Sequence, residues 1–133
     1  MAHVEGAVVV YLRRALGILD ADLKGAAVQE IPRRYLLIEK TREVATILML
    51  LTLALLVGET WPERIVIFFW TFAFWDLFYY LSLYLLIKWP PNLTTIDVLF
   101  LIPHPWIAPV WLPIGISSLI IILIAALYLS SIL

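Results

Sequence analysis

Apolar and polar positions alternate on two scales along this chain. Residues 44–133 form long apolar stretches separated by short polar or proline-bearing breaks, whereas residues 1–43 mix charges with apolar residues at helical spacing. On a helical wheel Val8, Val9, Leu12, Ala15, Leu16, Leu19, Leu23, Ala26 and Ala27 share one stripe, and Arg13, Arg14, Asp20, Asp22 and Lys24 fall outside it. That pattern predicts an amphipathic helix, weakened by Gly17 and Gly25. Two placements fit it. The helix lies on a membrane surface or against a partner helix, or it packs onto the chain's own bundle.

The breaks set the later elements. Glu30-Ile31-Pro32 interrupts the first helix, because a residue before proline resists the α region. Pro32 is tolerated in a first turn, so a helix can run from there through Arg33-Arg34 and Glu39-Lys40-Thr41-Arg42 into a first span, 44–58. Those residues reach only about 22 Å at 1.5 Å each. The span therefore borrows its upstream turn, with Lys40 and Arg42 snorkelling to the headgroups. Thr60-Trp61-Pro62-Glu63 has the spacing of a capping box and opens a second span, 62–87, bracketed by Trp61 and Trp89 and ended by Pro90-Pro91. Thr94-Thr95-Ile96-Asp97 repeats the cap pattern before segment 96–112. That segment carries Pro103, Pro105 and Pro109, each of which removes a helical hydrogen bond, so a broken or re-entrant membrane element is expected around His104. Residues 114–133 are uncharged and about 30 Å long as a helix, one bilayer crossing.

Composition agrees with this pattern and narrows the function classes. Of 133 residues 64% are apolar and 14% charged, against roughly 45–50% and 25% in soluble domains. Residues 98–133 hold no Asp, Glu, Lys or Arg, and 65–87 hold only Asp76. A net charge of −1 argues against a nucleic-acid partner, which needs a basic face. The absence of cysteine excludes disulfides and thiolate metal sites. The start, Met-Ala-His-Val-Glu, lacks the basic region of a signal peptide and is expected to be retained. Seven of the nine bases lie within residues 1–43, which places the amino terminus in the cytoplasm. The expected fold is an all-α integral membrane protein. It has a cytoplasmic amphipathic region, 1–43, and a transmembrane domain, 44–133, of about four segments, the third broken by prolines. If the third segment crosses, the carboxyl terminus is cytoplasmic; if it re-enters, it is outside.

Candidate chemistry centres on few residues. Asp76 lies twelve positions from both Arg64 and Lys88, about 18 Å from each along a helix, hence at mid-membrane. An ionised carboxyl there costs roughly 2.5–3.5 kcal/mol on insertion scales and usually faces a bundle interior. Tyr79 and Tyr80, at i+3 and i+4, are placed to donate to it. Asp76 is either a proton, ion or ligand site or a clamp between helices. His104 admits three readings: a pair with Asp76, an axial ligand to haem or chlorophyll, or an imidazole satisfied by a carbonyl that the prolines free. Ten aromatic residues crowd positions 68–84. Phe72, Trp75 and Phe78 among them could wall a pigment, quinone or sterol, or simply pack against neighbours. No phosphate loop, nucleophile elbow or zinc helix is present, and no catalytic set is expected.

The run Trp75-Asp76-Leu77-Phe78-Tyr79-Tyr80, then Trp89-Pro90, then Asp97-Val98-Leu99-Phe100-Leu101-Ile102-Pro103 resembles small bacterial multi-pass membrane proteins of unassigned function. The resemblance covers about 30 residues and implies a bacterial inner-membrane origin and a common membrane core, without an activity. Three functions are compatible with these features. The first is a structural or accessory subunit of a larger membrane complex, surrounded by lipid and by other subunits or copies of itself. The second is a homo-oligomeric proton or ion channel or transporter using Asp76 and His104. The third is a cofactor-holding subunit with His104 as ligand.

Overall fold

In a computed structural model, residues 1–17 and 31–132 are described. They form four helices and one β-hairpin in the order α1 (Ala2–Ala15), α2 (Arg33–Val57), α3 (Trp61–Ile87), β1 (Ile96–Phe100), β2 (Trp106–Pro109) and α4 (Trp111–Ile132). The helix α3 is the hub, and α1, α2 and α4 each pack along it. Two helices, α3 and α4, are long and apolar enough to cross a membrane. The first expected span, 44–58, continues the helix that starts after Pro32, as expected. It forms the apolar second half of α2, whose first half carries the charges.

The expected local signals act at both ends of the first three-helix run. Pro32 stands at the N-cap of α2 and Gly58 at its C-cap. The capping box forms as the spacing requires: Thr60 accepts from the Glu63 amide, and the Glu63 carboxylate accepts from the Thr60 amide. Beyond α3, Lys88 adopts the left-handed conformation with φ 56°, and the Trp89-Pro90-Pro91 sequence stops the helix.

Segment 96–112 corrects the all-α expectation. It is neither a crossing helix nor a broken one, but an antiparallel hairpin followed by the first turn of α4. Ile96 pairs with Pro109, Asp97 with Ala108, Val98 with Ile107 and Phe100 with Trp106, and an irregularity sits between Val98 and Phe100. Pro103 and Pro105 fall in the connection and Pro109 at a strand end, the places where a missing N–H breaks no ladder. The cap pattern read at Thr94–Asp97 opens no helix. Asn92 Oδ1 instead accepts from the Thr94 amide and both threonine hydroxyls, turning the chain into β1.

The helix α1 takes one of its two expected placements. It packs lengthwise on α3, within the chain's own bundle. Close approach requires Gly6, since a Cβ there would stand 3.0 Å from the Ser82 Cβ. His3 Nδ1 lies 3.3 Å from the Ser82 hydroxyl beside it. The buried face is Ala2, Glu5, Gly6, Val9 and Arg13, so Arg13 is inside, whereas Val8 of the expected apolar stripe and Tyr11 are outside. The part of that stripe beyond Gly17, with Asp20, Asp22, Lys24 and Gly25, lies outside the described residues.

The same inversion runs through the bundle. Glu39 and Thr46 of α2, Asp76 and Ser82 of α3, and Ser117 of α4 are buried. Leu56, Phe78, Ile122 and Leu127 are exposed. A small apolar cluster of Val9, Tyr80, Leu83, Trp89 and Val110 closes the end where α1, α3 and the start of α4 meet.

Candidate functional site: a charged cavity inside the bundle

Every described element contributes to one cavity of about 320 Å³. That volume stands at the small end of the range for small-molecule pockets, about 300–1,000 Å³. Its lining includes Glu5, Val9 and Arg13 from α1, Glu39, Arg42, Glu43 and Thr46 from α2, and Phe72, Trp75, Asp76, Tyr79 and Tyr80 from α3. The hairpin adds Asp97, Val98, Phe100 and Trp106, and α4 adds Ile116 and Ser117.

The charges in this wall are organised into four groups. In the first, Arg42 bridges two acids: its Nη1 donates to Glu5 Oε2 at 2.8 Å and its Nη2 to Glu39 Oε2 at 2.7 Å. Glu5 also accepts from the Thr46 hydroxyl, so α1 is tied to α2 through a charge-assisted network. In the second, Glu43 spans the hairpin connection, accepting the Leu101 amide at 2.8 Å and the Ile102 amide at 3.2 Å. In the third, Ser117 of α4 donates to Asp76 Oδ2 at 2.8 Å.

The fourth group is the most buried. Asp97 accepts from the Tyr80 hydroxyl at 3.0 Å and from the Val98 amide at 2.8 Å. Its Oδ1 lies 3.5 Å from Arg13 Nη2, an ion pair without a hydrogen bond. Burial pushes the Asp97 carboxyl above its ordinary range, while Arg13, the Tyr80 hydroxyl and the Val98 amide pull it back. Desolvation thus outweighs its partners, as it commonly does for enclosed ion pairs. The Arg13 guanidinium sits 3.9 Å over the Trp89 ring and is 2% exposed. Such a desolvated cation–π contact is worth about 2 kcal/mol or more. Yet Nε, Nη1 and Nη2 of Arg13 all lack a hydrogen-bond partner among the described residues, as does the Trp75 indole nitrogen.

The structure sorts the residues singled out from the sequence. Asp76, Tyr79, Tyr80, Phe72 and Trp75 all line the cavity. Phe72 stacks on Phe100 at 6.1 Å and leans on Trp75 at 5.6 Å, forming an aromatic wall. Asp76 accepts from Ser117 rather than from a tyrosine, and Tyr80 serves Asp97 instead. Phe78 is 52% exposed and lines a separate shallow hollow beside Met1. His104 is not brought to Asp76. It is exposed in the hairpin connection, against the Trp106 ring at 6.2 Å, and does not line the cavity. Flanked by Pro103 and Pro105 in the turn, it stands apart from Asp76 and is not buried. Among the described residues no group of three or more His, Cys, Asp or Glu side chains is placed to hold a metal ion.

Sequence reasoning missed Arg13, Asp97, Glu5, Arg42, Glu43 and Ser117. The one signal for Arg13 was its position within a helix whose outer face is apolar, which reverses the usual meaning of a wheel. Comparison of the chain with protein-family profiles, with curated proteins and with solved structures finds no match.

Proposed function

We propose that this chain is a multi-pass membrane protein in which α2, α3 and α4 cross the bilayer and the cavity between the elements holds a small molecule. The inverted burial supports the membrane setting. Glu5, Arg13, Asp76 and Ser117 turn inward while Val4, Leu56, Ile122 and Leu127 turn outward, the reverse of what water favours and the arrangement hydrocarbon favours. Arg33, Arg34, Lys40 and Lys88 gather at the hairpin end, the end the positive-inside rule assigns to the cytoplasm. With three crossings the carboxyl terminus lies on the opposite side. The resemblance read from residues 75–103 favours a bacterial inner membrane.

The cavity is the observation that carries the functional reading. It is the third of the three functions compatible with the sequence, in altered form, because the holding residues are those of the cavity wall and not His104. A proton or ion path is less well supported. His104 stands outside the cavity, and Glu5, Glu39, Glu43 and Asp97 are each engaged by a cation or by amides. The accessory-subunit reading would place another chain on the bare outer face of α4, a face that lipid alone also satisfies.

Native mass spectrometry of the chain released gently from its own membranes tests this. The expected result is a retained small-molecule mass at about one per chain, reduced by Ile116→Trp, which adds an indole to the cavity wall. A bare chain would overturn the reading. A bare chain bound to stoichiometric, unrelated membrane subunits would put the accessory function in its place.

A further inference from the structure

Resting on that reading, we infer that the occupant is a neutral lipophilic molecule whose flat head carries carbonyl acceptors, a quinone-type ring, with Arg13 as its hydrogen-bond donor. The fully buried atoms of the wall that lack a partner are all donors. Arg13 keeps three buried nitrogens without a partner, and Trp75 an indole N–H, and both residues line the cavity. A buried donor left unpaired is costly, so the complement of this wall is a molecule that brings acceptors.

Charge selects among acceptors. Arg13 is already countered by Asp97, and Arg42 by Glu5 and Glu39. Asp76 and Glu43, which share the wall, have no cation among the described residues. An anionic head would add a negative charge to an interior with none free to balance it, and that is expensive at low dielectric. A neutral carbonyl takes the guanidinium hydrogen bond without that cost. Shape selects further. The Phe72 ring lies 5.6 Å from Trp75 and 6.1 Å from Phe100, and together they offer a surface on which a flat ring packs by offset stacking.

The test uses the full chain in nanodiscs, titrated with a decyl-tailed benzoquinone, with laurate and with dodecylammonium, and read by isothermal calorimetry against empty discs. The expected result is saturable binding of the quinone at one per chain, tighter than either charged probe. Arg13→Lys keeps the charge opposite Asp97 and loses the planar donor fork, and should weaken binding roughly tenfold or more. Trp75→Phe keeps a ring in the wall and removes its N–H, with a loss of roughly two- to tenfold. Trp75→Phe also covers the case in which Arg13→Lys does not fold, while Leu127→Ala on the outer face should bind as the parent does. Tighter binding of laurate or dodecylammonium, or quinone binding indifferent to both cavity variants, would overturn this assignment. Failure of all three probes with a mass still retained in native spectrometry overturns the quinone class and leaves the cavity reading standing. Failure of both removes the two together.

Discussion

At the end of the bundle where α1, the hairpin and the start of α4 meet, polar and charged side chains are buried beside the apolar cluster. Glu5, Arg13, Glu39, Thr46, Asp97 and Ser117 are all enclosed there. At the other end, α2 and α3 approach through Leu50, Ala54 and Ala73, and the second half of α4 buries no residue among those described. The contrast teaches what holds each end. In the bilayer proposed above, apolar contact gives little advantage, so helices there need only small residues and length. Polar groups must find one another in such surroundings, and those pairs fix which helix meets which.

The sharpest way to break this contrast is at Arg13. Arg13→Ala leaves the Asp97 carboxyl enclosed without its cation, and a loss of about 3–5 kcal/mol is expected in denaturant unfolding in micelles. The double change Arg13→Leu with Asp97→Leu should recover more than half of that loss, because no lone charge remains. A double variant as unstable as the single one would show that the pair contributes through something other than charge. Gly6→Leu should cost about 1–3 kcal/mol in the same assay, by wedging α1 from Ser82. No loss there would mean that α1 does not need its close seat on α3.

Ser117→Ala removes the hydrogen bond that joins α4 to Asp76, and about 0.6 kcal/mol, at most about 1.7, is expected. The smallest effect is expected at the opposite end. Leu127, 68% exposed on α4, should change stability by less than about 0.5 kcal/mol when replaced by alanine. A loss above about 1 kcal/mol at Leu127 would show that another chain covers that face and would redraw the comparison between the two ends.

Much of the helical framework was legible because its signals are local. The Thr60–Glu63 box, the stop at Trp89-Pro90 and the start after Pro32 each depend on a few neighbouring residues. Asp76, Tyr79 and Tyr80, which line the cavity, stood out in the sequence because a lone carboxyl in an apolar run has few innocent explanations. The hairpin at 96–109 was half legible. Its prolines ruled out a regular helix, but only strand pairing across Ile96–Pro109 and the Glu43 carboxylate on the connecting amides chose a ladder instead.

The charged interior was not legible, and the reason is physical. A helical wheel assigns charge to the outside, a rule that holds when water is outside. Glu5 and Arg42 are 37 positions apart, and Arg13 and Asp97 are 84 apart, so no local pattern links them. By itself the sequence determined what is encoded over a turn or two of chain: where helices begin and stop, that the runs forming α3 and α4 are long and apolar enough to cross a membrane, and that prolines break the third segment. Only the tertiary structure decided that α1 folds back on α3, that Asp97 rather than His104 joins the interior, and that the charges meet around one cavity. Those outcomes depend on the desolvation of groups brought together from distant parts of the chain, a quantity that exists only once the helices are packed.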